Sequence, residues 1–207
     1  MEGKLQTRDE TKIYEGIIQK KYRNYKWLLY FSISGISIMF IGLTILYFFS
    51  SIKNQQAPVR LPVLFYWNTL VLMGSSLTLV LSQLYYTEDR FNQYKSALLL
   101  ILGLGILFMV GQVTGWLALY NSGYTLSHHS SSYLYVISGI HAIHVLGAMV
   151  FLVFFLSKSH PLLKDYATSV VYFTDPIIQS QLRLFSIFWH FLGITWIYLL
   201  FFFILLG

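Results

Sequence analysis

Apolar residues run through this chain in five long stretches, and the charged residues fall between them. Lys26 and Lys53 bracket one apolar run, Arg60 and Glu88 bracket a second, and nothing after Arg183 is charged. From Lys95 to Lys158 no Asp, Glu, Lys or Arg intervenes, which is too long for one crossing, but the polar stretch Tyr120–Ser132 (YNSGYTLSHHSSS) divides that run in two. A helix rises about 1.5 Å per residue, so a hydrocarbon layer roughly 30 Å thick needs about 20 apolar residues. The pattern therefore predicts spans at Trp27–Phe49, Val63–Tyr86, Ser96–Tyr120, Ser131–Leu156 and Leu184–Leu206. The expected fold is all-α: a polytopic membrane protein with a five-transmembrane-helix bundle as its single domain over 27–207, preceded by a polar tail over 1–26. The 157–183 connection, with Pro161 and Pro176, is expected to hold an interfacial segment, and no internal repeat is visible.

Basic residues fix the expected orientation, because lysine and arginine are retained in cytoplasmic loops. Lys4, Arg8, Lys12, Lys20, Lys21, Arg23 and Lys26 precede the first span, Arg90 and Lys95 follow the second, and Lys158, Lys164 and Arg183 follow the fourth. All of these lie on one side, against Lys53 and Arg60 on the other, so the N-terminus is expected in the cytoplasm and the C-terminus outside. The expected location is the cell's inner (cytoplasmic) membrane, as a multi-pass protein. A full-length first span behind a polar tail does not read as a cleaved signal peptide.

Composition supports lipid as the solvent: 56% of the 207 residues are hydrophobic and only 11% are charged, too few to cover a water-soluble surface. The net charge of +6 does not point to nucleic acid, because the basic residues are spread over tail and loops rather than gathered on one face. The absence of cysteine excludes disulfides, thiolate metal sites and cysteine nucleophiles.

All eight carboxylates, Glu2, Asp9, Glu10, Glu15, Glu88, Asp89, Asp165 and Asp175, fall outside the predicted spans. Ion-coupled transporters normally bury ionisable groups near the midplane, so this distribution argues against a small membrane transporter, which stays the rival from another class. What the spans hold is neutral hydrogen-bonding side chains, small residues and histidines. His141 and His144, three apart, share one face of span four, and His190 follows Trp189 at the start of span five. Histidines on facing helices could ligate a haem iron or another metal; the plainer alternative is that each imidazole bonds a carbonyl or hydroxyl of a neighbouring helix. His128 and His129, in the polar loop, are expected to meet water or a partner, with surface metal binding as the alternative. Gly35, Gly42, Gly74, Ser75, Ser76, Gly103, Gly111, Gly115, Gly139 and Gly147 are expected to let helices approach closely. Trp27, Tyr85, Tyr86, Trp116 and Trp196 are expected in the aromatic belt at the span ends.

Several strings, in order, carry a resemblance. They are Asn68-Thr69 with Leu72 and Ser75-Ser76; Glu88-Asp89-Arg90; Gln112-Val113-Thr114-Gly115-Trp116; Ser138-Gly139-Ile140-His141-Ala142-Ile143-His144-Val145 with Gly147; and Phe188-Trp189-His190-Phe191 with Trp196. Together they resemble subunit III of the haem-copper respiratory oxidases in its shorter five-helix form, over nearly the whole chain after the tail. Where many members of that family carry span carboxylates, this chain has Gly35, Gly115 and Gly193, so any part those acids play in proton uptake or a polar network is missing here.

The resemblance implies a non-catalytic subunit III of a cytochrome c oxidase, stabilising the catalytic subunit in proton-pumping aerobic electron transport. A quinol oxidase subunit III and an accessory protein of nitric oxide reduction are the alternatives within the family. It further implies that haem and copper lie in partner subunits, that subunits I and II and membrane lipids are the partners, and that phospholipid binds between the helices. A place in a larger respiratory supercomplex stays open. No catalytic, cofactor or metal residue is expected in this chain. Asn68, Gln112, His141, His144, Trp189 and His190 are expected to serve packing against lipid or a neighbouring subunit.

Overall fold

The computed structural model describes residues 2–54, 60–126, 129–162 and 172–206. Among these the chain is all helical, with no strand: α1 (Glu2–Asn54), α2 (Val63–Thr87), α3 (Phe91–Asn121), α4 (His129–Leu162) and α5 (Pro176–Leu206). Within them, Tyr22–Ile52, Val63–Thr87, Phe91–Asn121, Ser131–Ser157 and Pro176–Leu205 are long and apolar enough to cross a membrane, making this a multi-pass membrane protein. Helices answer the solvent directly, since lipid offers no partner for a free backbone N–H or C=O.

Local chemistry sets the helix ends. Pro62, in extended conformation, precedes α2, and its carbonyl accepts the N–H of Phe65 at 3.1 Å. The α2–α3 turn is closed by Asp89 in the left-handed region (φ 54°) and by Arg90 N–H donating to the Tyr85 carbonyl at 3.0 Å. The Arg90–Glu88 ion pair at 2.8 Å is solvent-exposed and adds little to that turn. Asp175 caps α5: its side-chain oxygen accepts the N–H of Ile177 at 2.8 Å, with Pro176, whose missing N–H is not needed there, as first residue.

These ends revise two expectations. The helices continue past the charge-free runs, α4 to Leu162 and α5 back to Pro176, which leaves a shorter connection than 157–183; its residues 163–171 lie outside the described residues. A charge-free run marks what sits in hydrocarbon, whereas the helix persists until a cap stops it. His190 consequently stands near the middle of α5, although near the start of its charge-free run. Residues of the polar tail belong to the same continuous helix as the first span.

The tight turn makes α2 and α3 an antiparallel hairpin; α5 lies against α2, α1 and α4, while α4 also touches α3 and α1. The core is strongly aromatic, with Phe40, Phe65, Phe108, Trp189 and Trp196 all buried. Trp196, 1% exposed, and Tyr86, 2% exposed, are core residues rather than belt residues, while Trp27 stands 60% exposed as a lipid-facing aromatic should. Position along a span does not reveal which face a ring occupies.

Candidate functional site

Three indoles clasp neighbouring helices through one repeated device. Trp196 donates Nε1–H to the Thr69 hydroxyl at 3.1 Å, Trp189 to the Ser75 hydroxyl at 3.0 Å, and Trp116 to the Ser138 hydroxyl at 2.9 Å. Each hydroxyl gives its own proton to a carbonyl one turn back on its helix, of Phe65, Leu72 and Leu134 respectively. A Ser or Thr on a lipid-embedded helix is satisfied locally as a donor and keeps lone pairs free, so it suits an indole, which can only donate. The first two clasps tie α5 to α2 and the third ties α3 to α4. Thr44 and Tyr198 add a hydroxyl pair at 2.7 Å between α1 and α5.

Across the α2–α3 hairpin, Asn68 donates from Nδ2 to Gln112 Oε1 at 3.2 Å, both side chains being buried. Gly111 makes this possible: a Cβ there would overlap the Asn68 side-chain oxygen. At Gly115 a Cβ would come within 3.2 Å of the Phe65 ring, and at Gly105 within 3.1 Å of Met149 Sδ. The other glycines do not serve close approach as expected. A Cβ would meet nothing within 4 Å at Gly35, Gly42, Gly74, Gly103 or Gly147, and only the Trp116 ring at 4.0 Å at Gly139. Gly105, not among the small residues expected to matter, does. A Cβ at Gly193 would face Ser76 Oγ at an ordinary 3.5 Å, so of Gly35, Gly115 and Gly193 only Gly115 is held by a tight neighbour.

The three span histidines point to different surroundings. His141 is fully buried, its ring tilted against Trp196 at 5.2 Å and flanked by Phe108 at 6.0 Å and Phe40 at 6.1 Å. Among the described residues neither of its ring nitrogens has a hydrogen-bond partner, and Gln112 Nε2 is likewise unpartnered. His144 shares the Phe40 ring, at 5.8 Å, as its position on the same face predicts, and its Nδ1 donates to the Ile140 carbonyl at 2.8 Å. His190 instead lines an outer groove of about 420 Å³ between α2 and α5, with Thr69, Ser76 and Gly193 among its neighbours. Among the described residues no three His, Cys, Asp or Glu side chains converge as metal ligands; His128, and the side chain of His129, lie outside them.

The structure thus joins Asn68 with Gln112, seats Trp189 on Ser75, and sets His141 and His144 against one ring, leaving His190 apart. Sequence reasoning missed the acceptor roles of Thr69 and Ser138, although both stand in the quoted strings. A second aromatic cluster also escaped it. Tyr86 donates to the carbonyls of Tyr172 at 3.0 Å and Asp175 at 3.3 Å, and the Tyr94 and Tyr172 hydroxyls lie 3.2 Å apart. These contacts fasten the segment leading into α5 to the charged turn. The set as a whole is built to hold helices together.

No family model matches the chain. Over 130 residues it is 29% identical to cytochrome bo(3) ubiquinol oxidase subunit 3 of Buchnera aphidicola subsp. Schizaphis graminum, an alignment that covers 62% of this chain and 64% of that protein's own length.

Proposed function

We propose that this chain is a non-catalytic, membrane-embedded subunit III of a haem-copper terminal oxidase, packed beside the catalytic subunit. The observation that supports it most is the convergence of the quoted strings on inter-helix contacts: Asn68, Thr69, Ser75, Gln112, Trp116, Ser138, Trp189 and Trp196 hydrogen-bond one helix to the next. A chain whose polar interior is spent on helix–helix bonds suits a scaffold. The sequence similarity to a quinol oxidase subunit 3 supports the same reading and favours quinol as the donor to the complex, in place of the cytochrome c expected from the sequence.

In this reading haem, copper and the pumping machinery belong to partner subunits, and this chain contributes shape and stability. Its N-terminus is cytoplasmic and its C-terminus outside, in the inner membrane, as the twelve basic residues against two predict. Mild detergent extraction of the native membrane, followed by a haem-stained native gel and mass spectrometry, tests it. The expected result is co-migration with a larger haem-bearing chain whose reductant is quinol. Recovery as a stable lone chain, or solute flux from the purified chain in vesicles, would overturn it.

A further inference from the structure

The outer surface of a membrane bundle needs no explanation where it is apolar, because lipid covers it. Polar side chains on that surface do, since hydrocarbon cannot satisfy them. On other outer faces Ser32 donates to the Leu28 carbonyl at 2.9 Å and Thr114 to the Val110 carbonyl at 2.9 Å, whereas Ser34, exposed on α1, hydrogen-bonds to no described residue. The groove between α2 and α5 brings two such unpartnered groups together. His190 from α5 and Ser76 from α2 both line it, both are partly exposed, and neither side chain hydrogen-bonds to any described residue.

His190 lies inside the charge-free run of α5. It stands seven residues from Arg183, the nearest charged residue of its helix, which at about 1.5 Å per residue is roughly 10 Å, and sixteen from Leu206. Gly193, one turn along, keeps the groove open at this level, and Leu77, Met73, Val80, Ile194 and Ile197 give it an apolar rim. A neutral imidazole carries one donor and one acceptor and a serine hydroxyl carries both, so the floor of the groove can both give and receive hydrogen bonds. Lipid tails offer neither. A transmembrane helix offers close apolar packing along the rim and a polar side chain into the floor.

We infer that this groove is the docking site for a transmembrane helix of a neighbouring subunit, which places a hydrogen-bonding side chain between His190 and Ser76. The inference rests on the reading of the chain as a subunit of a larger membrane complex, and it names the surface through which that complex forms.

A photo-crosslinking residue placed at Leu77 or Ile194, on the rim, in native membranes should join the chain to a larger multi-spanning partner. The same residue at Phe154, exposed on α4, serves as the outer-face comparison. His190→Phe should lower recovery of the partner roughly three- to tenfold, the range of a single intramembrane hydrogen bond, and His190→Gln should restore most of it. Helicity and melting of each purified variant separate lost docking from misfolding. Rim crosslinks to lipid alone, or to a second copy of this chain, overturn the inference, as does undiminished partner recovery with His190→Phe. If the subunit reading itself fails, the unaltered chain recovers no partner; if only the docking site fails, the partner is recovered and the rim crosslinks do not include it.

Discussion

Trp196 donates its indole N–H to Thr69 at 3.1 Å, while the same Thr69 hydroxyl donates to the Phe65 carbonyl at 3.0 Å, so one oxygen joins α5 to α2 and closes a turn of its own helix. Because Trp196 is only 1% exposed, its N–H has no water to fall back on when Thr69 is lost. Thr69→Val should therefore cost about 1–3 kcal/mol, the penalty of a buried unsatisfied donor. A double-mutant cycle with Trp196→Phe should return a coupling of about 0.6–1.7 kcal/mol, as for other intramembrane hydrogen bonds. Unfolding in mixed micelles measures both, and a coupling near zero would mean that the bond contributes nothing.

Gly111 and Gly103 provide a paired test of helix approach. A methyl group at Gly111 would push Asn68 away from Gln112 and loosen the α2–α3 hairpin, whereas one at Gly103 meets open space. Gly111→Ala should destabilise by about 1–3 kcal/mol, the usual cost of overpacking. Gly103→Ala should be neutral or stabilise by about 0.5–1 kcal/mol through the gain in helix propensity. Equal effects of the two would contradict the close contact at Gly111.

Comparison of these two glycines shows why some of the design was legible and some was not. The five spans could be read because hydrocarbon thickness dictates the length of an apolar run, and a charge in that run is costly. Which face of a helix meets a neighbour is not written in the same way. Gly103 and Gly105 are two residues apart, about 200° around a helix, and only Gly105 touches another helix, at Met149. The pairing of Asn68 with Gln112 needs the hairpin register, which is set by the left-handed Asp89 in the turn. Asp175-Pro176 does mark the start of α5 in the sequence, as an acidic cap followed by proline, but reading spans by charge alone passes over it.

His141 makes an opposite demand on stability from the clasps. Its two ring nitrogens are buried without a partner among the described residues, while its ring packs on Trp196 and two phenylalanines. Removing the nitrogens relieves about 1–3 kcal/mol of desolvation, and losing the ring contacts forfeits about 0.5–1.5 kcal/mol. His141→Leu should therefore leave the purified chain as stable as before or slightly more so, by unfolding in mixed micelles. A loss above about 2 kcal/mol would show that the imidazole has an interior partner of its own.

The entry into α5 depends on two separable side chains, Tyr86 and Asp175. Tyr86 holds the Tyr172 and Asp175 carbonyls with its hydroxyl, fixing where the chain turns, and Asp175 caps the helix that begins there. Tyr86→Phe keeps the ring packing against Phe173 at 4.9 Å and deletes only the hydroxyl. It should cost about 0.5–1.5 kcal/mol, the net worth of an ordinary hydrogen bond. Asp175→Ala should cost about 0.5–2 kcal/mol by loss of the cap, and Asp175→Asn should recover most of it, because an amide oxygen accepts the same N–H. The two lesions differ in where they act. Faster hydrogen exchange after Tyr86→Phe should appear on both sides of the contact, at the end of α2 and at Tyr172–Asp175, whereas Asp175→Ala should expose only the first turn of α5. If both variants accelerated exchange along the whole of α5, entry and helix would unfold as one unit and the bonds would not be separable.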